Sequence, residues 1–333
     1  MCYSIKGIIY HSGEERIMTK DLTRGTPWKL IVQFALPIMA GNLLQQLYNT
    51  ADTIIVGNFN GQQALSAVGA CASLTVLFTA LAIGFSIGAG VLISQYFGAS
   101  REQELRQYAA TAIVLMLAMG LLMSLIGVCS ARFLLARALG TPEALLPLTL
   151  LYFRIYAAGL VFQFGYNIAA ALLRALGDSK SALYFLMISS VLNIGGDLFF
   201  VEVLDWGSEG CALSTVLSEA LCCVFCLIYI RWKVPVLQLG RRWFIFDSSL
   251  LKKTISYGWT SAMQQATVQL GKIAIQAIVN TMGVNAMAAF AAAGRIDDFA
   301  YVPQQNIGHA TTTLMAQNRG CLLYTSDAAD DKA

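Results

Sequence analysis

Charge is scarce in this chain. Asp, Glu, Lys and Arg make up only 12% of its 333 residues, against 57% hydrophobic residues, too little for a domain that must wet its whole surface. A soluble fold is excluded, and a net charge of +3 gives nucleic-acid binding no support. Metal-hydrolase patterns are missing too. No HExxH or Cys/His set occurs in the apolar runs, so a metallopeptidase finds no candidate residues and the expectation is a protein that is not an enzyme. Cys71, Cys211, Cys222, Cys223 and Cys226 lie in apolar runs without a second ligand set at metal spacing. They read as small packing residues, since CCVFC on one helix does not complete a tetrahedral site by itself.

What the chain does have is apolar length. Runs able to cross a hydrocarbon core of roughly 30 Å recur at 30–56, 65–94, 107–130, 149–173, 181–203, 211–231, 254–280 and 286–316. The predicted fold class is therefore an all-α polytopic membrane protein of about eight helices, embedded in a lipid bilayer. With the N-terminus in the cytoplasm, the inner segments collect Lys20, Arg24, Lys29, Arg101, Arg106, Arg174, Lys180, Arg231 and Lys233, while the outer loops keep only Arg132 and Arg137. The loop after the fifth span is acidic, with Glu202, Asp205 and Glu209, which suits an outward placement.

A repeat organises these spans. Sliding the chain by 222 residues sets Asn58, Gly61, Ala64, Gln95 and Gly98 on Asn280, Gly283, Ala286, Gln317 and Gly320 without a gap. Six spans separate the copies, an even number, so the repeats are parallel and related by an axis along the membrane normal. The expected organisation is a six-helix lobe over 18–232, a cytoplasmic connection at 233–250, and the first two helices of a second lobe over 251–320. Residues 1–17 are mixed, carry no Sec-type signal and read as a non-native extension ahead of Met18. Residues 321–333 (CLLYTSDAADDKA) read as a foreign tail resembling a translated sequencing adapter, so the chain is expected to hold a complete first lobe and part of a second.

Two carboxylates stand out against this background. Asp52 ends the apolar run of the first span, and Asp197 lies in SALYFLMISSVLNIGGDLFFV, four residues after Asn193. A carboxylate costs roughly 2.5 to 3.5 kcal/mol at a helix centre on insertion scales, and such residues mark ion or proton paths. Asn193 and Asp197 share a helical face, and Thr215, early in the sixth span, falls at a similar depth. Carboxylates without a basic partner in an apolar setting can take up and release protons. Pro37 removes one backbone hydrogen bond from the first helix and serves there as a hinge or a static kink. The charges late in the chain, Asp297 and Asp298 among them, read as a local ion pair with Arg295 or as contacts to a cationic substrate. Tyr48 and Tyr166, with Phe162 and Phe164, fit either core packing or the wall of a cavity for flat organic cations.

The segment TPWKLIVQFALPIMAGNLLQQLYNTADTIIVG, the RALGDSK turn at 174–180 and the NIGGD motif at 193–197 together resemble the MATE (multidrug and toxic compound extrusion) transporters, close to the bacterial branch allied to the DNA-damage-inducible members. The resemblance covers roughly 18–320. It implies a two-lobed, twelve-helix carrier of the bacterial inner membrane, monomeric at full length, exporting small organic cations by antiport. The coupling ion is H⁺ or Na⁺ and no other cofactor is implied. The implied cation ligands are Asp52, Asn193, Asp197 and Thr215, the residues that would hold sodium; Gln45 and Asn167 also match the family pattern. Two rival readings are a lipid-linked sugar flippase of the same wider superfamily, which would line its cavity with fixed cations, and a fragment with no transport of its own.

Overall fold

The computed structural model describes residues 21–23, 25–59, 61–237, 248–282 and 284–330. Among them stand eight α-helices and no strand: α1 Pro27–Phe59, α2 Gly61–Gly98, α3 Glu102–Phe133, α4 Leu146–Ala175, α5 Ser179–Asp197, α6 Gly207–Lys233, α7 Ser248–Thr281 and α8 Val284–Asp330. Each of the eight predicted apolar runs falls on one of them. The fifth passes through α5 into a π-helical stretch at Leu198–Val203, and α3 ends in another at Leu134–Ala138. Six helices, α1 to α6, are long and apolar enough to cross a membrane. Helix is what such sequences must form, because a bilayer offers no water to satisfy backbone N–H and C=O groups. The predicted extension at 1–17 and residues 238–247 of the predicted inter-lobe connection lie outside the described residues.

Helix α4 is the hub of the first six. It packs on α2, α3 and α6 and sinks Phe164, Ile168, Leu172 and Leu173 into the core. The opposite faces carry exposed Leu121, Leu125, Leu151 and Val191, apolar side chains that suit lipid. Lipid tails are as apolar as leucine, so this interior is held by close packing rather than by escape from water.

The RALGDSK motif is a helix junction. Gly177 adopts a left-handed φ of 83°, its N–H donates to the Arg174 carbonyl at 2.9 Å, and the Asp178 N–H reaches back to the Leu173 carbonyl at 2.9 Å. These are the paired bonds that end a helix on glycine. Asp178 then caps the next helix by accepting the Ser181 N–H at 3.0 Å. The turn ends α4 and starts α5, which packs on α1 and α6.

Helices α7 and α8 lie against α1 and α2. Helix α2 packs on α7 and α8, and α1 packs on α8. Under the 222-residue shift the α2–α7 pair maps onto α8–α1, and the α2–α8 pair maps onto itself. At that last crossing Gly98 faces the Gln317 backbone while Gly320 faces the Gln95 backbone, the reciprocity that a two-fold relation between parallel repeats requires. Asn42 donates to Asn306 Oδ1 at 2.8 Å, joining α1 to α8.

Candidate functional site

Three helices bring the site together. Helix α1 presents Gln45, Tyr48 and Asp52 along one face, α5 presents Asn193 and Asp197, and α6 presents Cys211, Thr215 and Glu219 at successive four-residue steps. A carboxylate oxygen of Asp52, one of Asp197 and the Cys211 sulfur all lie within 4.8 Å of one another. Asn193 Nδ2 donates to Thr215 Oγ1 at 3.3 Å, and that hydroxyl donates to the Cys211 carbonyl at 3.0 Å. Ser214 Oγ holds α5 to α6 by donating to the Asn193 carbonyl at 2.8 Å.

The arrangement is rich in acceptors and poor in donors. Asp197 is 0% exposed and Asn193 1%, yet both Asp197 carboxylate oxygens, Asp52 Oδ1 and Asn193 Oδ1 have no hydrogen-bond partner among the described residues. Buried acceptors of this kind ordinarily cost free energy and are rare in native structures. Their geometry suits a guest that supplies positive charge: a proton shared between the carboxylates, or a metal cation held by oxygens.

Beside this cluster opens a cavity of about 170 Å³ whose wall includes Pro37, Gln45, Tyr48, Tyr166, Asn167 and Glu219. One helical turn along α6 from Thr215, about 6 Å, Glu219 Oε1 accepts from Gln163 Nε2 at 3.3 Å. The same amide nitrogen lies 3.1 Å from Tyr156 Oη and 3.2 Å from Thr79 Oγ1. Gln45 Nε2 donates to Tyr48 Oη at 3.3 Å. Cavity and carboxylate cluster are thus stacked along shared faces of α1 and α6.

The structure brings Asp52, Asn193, Asp197 and Thr215 together as one cluster. Gln45 stands in the cavity wall, as does Asn167, whose amide donates to the Gln163 carbonyl at 2.9 Å on its own helix. Tyr48 and Tyr166 line the cavity; Phe164 is core, and Phe162 is partly exposed away from it. Pro37 sits inside α1, which continues through it as one helix. The side chains of Asp297 and Asp298 lie outside the described residues. Two features escaped the sequence reading. Cys211 belongs to the carboxylate cluster, and its only signal was its place one turn before Thr215. The Glu219–Gln163–Tyr156 group needs α4 and α6 in contact, which no local pattern reveals.

A multi-helix membrane bundle with buried, unpartnered carboxylates beside a polar cavity suits a membrane transporter. The chain belongs to the MATE family: the MatE family model matches residues 37–199. It is 32% identical over 305 residues to the probable multidrug resistance protein YpnP of Bacillus subtilis, covering 90% of this chain and 67% of that protein. It is 28% identical over 318 residues to the probable multidrug resistance protein YoeA of the same organism, covering 93% and 68%. Among solved structures it resembles an outward-facing multidrug resistance MATE transporter of the MOP superfamily, with a TM-score of 0.84 at 28% identity over 93% of this chain and 68% of that one. A MOP superfamily transporter from Pyrococcus furiosus is similar at a TM-score of 0.85 and 27% identity, again over 93% and 68%. The chain spans about two thirds of the length of these relatives.

Proposed function

We propose that the protein to which this chain belongs is a secondary active exporter of small organic cations, driven by antiport against protons or sodium in the bacterial inner membrane, with a cytoplasmic N-terminus. One observation carries the reading: the unpartnered acceptor oxygens of Asp52, Asn193 and Asp197 converge next to a polar cavity. A bound proton or Na⁺ neutralises charge at Asp52, and Asp52 shares a face of α1 with Tyr48 and Gln45 in the cavity wall. Occupancy of the ion site thereby alters the surface offered to substrate. Pro37 supplies the weak point at which α1 bends between the two states. Exchange follows if each state favours one ligand, since a ligand shifts an equilibrium only by its differential affinity. The whole carrier acts as a monomer and needs no further cofactor.

A second reading has one observation in its favour. Arg174 and His309 also line the cavity, and cationic groups suit the anionic head of a lipid-linked sugar. Both readings are tested with the full-length gene in sealed vesicles, with a proton or a sodium gradient imposed separately. The antiport reading expects gradient-dependent movement of a fluorescent organic cation. Movement of a labelled lipid-linked sugar with no cation efflux under either gradient would overturn it in favour of the flippase.

A further inference from the structure

Cys211 is unusual company for a proton or sodium site. Sodium and protons are served by oxygen ligands, whereas a thiol adds affinity only for soft or borderline metals. Cys211 is 1% exposed, and its sulfur and one oxygen each of Asp52 and Asp197 lie within 4.8 Å of one another. Asn193, one turn before Asp197 on α5, is 1% exposed, and its Oδ1 has no partner among the described residues. Zn²⁺ binds sulfur at about 2.3 Å and carboxylate oxygen at about 2.0–2.2 Å, so ligand atoms around one zinc ion stand about 3.3–3.8 Å apart, and around the larger Cd²⁺ somewhat farther. Side-chain rotations of about 1 Å close the cluster to that size.

We propose that Cys211, Asp52, Asp197 and Asn193 form a binding site for a thiophilic divalent cation such as Cd²⁺ or Zn²⁺, and that its occupation blocks the coupling site. The inference rests on the cation-site reading above. Binding replaces the sulfur–hydrogen bond with a sulfur–metal bond, and the thiol proton leaves to water. No electron is transferred. Asp52, half-buried while Asp197 is enclosed, is the side from which the ion arrives. A divalent ion held by two carboxylates and a thiolate is far harder to displace than Na⁺ or a proton, and it fixes α1, α5 and α6 to one another.

Cadmium added to the purified full chain tests this, with calorimetry for affinity and the ultraviolet charge-transfer band for the cadmium–thiolate bond. The expected result is binding that weakens roughly ten-fold or more in Cys211→Ala and in Asp197→Asn, each with its thiolate band reduced. Asp197→Asn separates this site from the thiols of Cys222, Cys223 and Cys226, which its loss would leave untouched. Equal affinity and equal absorbance in wild type and either variant overturns the proposal, as does wild type that binds no cadmium. In the full-length transporter, cadmium should inhibit wild-type efflux, and Cys211→Ala, scored against its own metal-free rate, should lose that inhibition. Efflux that is absent in every variant would strike the antiport reading alone, because the binding data stand apart from it.

Discussion

Gly98 of α2 lies so close to the backbone carbonyl of Gln317 in α8 that a Cβ at Gly98 would fall inside that oxygen's van der Waals surface, and Gly320 meets the Gln95 carbonyl in the same way. Small residues are what let helix backbones approach in a membrane. The pair closes one end of the seam between the first lobe and α8. Gln317, itself fully buried, seals the same place by donating to the Ala175 carbonyl at 2.8 Å and accepting the Leu22 N–H at 3.1 Å.

Gly98→Val should therefore force α2 and α8 apart. Both listening atoms are backbone and have no rotamer to retreat into, so overpacking should cost about 1–3 kcal/mol. Thermal unfolding in detergent reads the cost, and hydrogen exchange should rise at 95–98 and 317–320. Unchanged exchange would show that this end is loosely packed in the membrane protein.

Gln317→Ala removes both bonds and leaves the Leu22 N–H without its acceptor. The expected loss is about 1–3 kcal/mol, seen as a lower unfolding temperature. Gln317→Glu, which turns a carboxylate oxygen toward the Ala175 carbonyl in an enclosed place, should cost more than Gln317→Ala; equality with wild type would mean the amide contributes nothing.

Asp197→Asn should stabilise the protein while disabling it. The substitution keeps the shape and removes an enclosed acid with no partner, a gain of about 0.5–2 kcal/mol of the kind seen when functional sites are relaxed. Differential scanning fluorimetry without added metal checks the sign, and a lower melting temperature than wild type contradicts it.

Glu219→Gln should weaken the binding of organic cations by about ten-fold, the size of one partly desolvated ion pair. The Gln163 contact survives, since the new amide oxygen can accept it. Fluorescence titration with a cationic dye and with an anionic one separates charge from shape: a loss shared equally by both dyes would point to cavity collapse rather than recognition.

The helices were legible because apolar length leaves a membrane chain little choice but helix, and the carboxylates because an acid among SALYFLMISSVLNIGGDLFFV is costly and therefore conspicuous. The equivalence of Gly98 and Gly320 was legible as a 222-residue repeat, whereas their reciprocal approach to the Gln317 and Gln95 backbones needed the packing of α2 on α8. Cys211 was not legible as a ligand, since a cysteine costs nothing to bury and looks the same whether it packs or binds. The Gln163 network stayed hidden for another reason: Thr79, Tyr156 with Gln163, and Glu219 come from α2, α4 and α6, and only the packing of those helices makes them neighbours. Helix ends also ran past the apolar runs, because caps such as Asp178 and continuations such as Leu198–Val203 are set by local hydrogen bonds rather than by hydrophobicity.

The most direct test of the account is gradient-driven efflux by the full-length transporter carrying Asp52→Asn or Asp197→Asn, normalised to the amount of protein in the membrane. Each single change should abolish efflux under the gradient that drives the wild type, with expression unaltered. Wild-type efflux rates in either variant would contradict a coupling site built from Asp52, Asn193, Asp197 and Thr215.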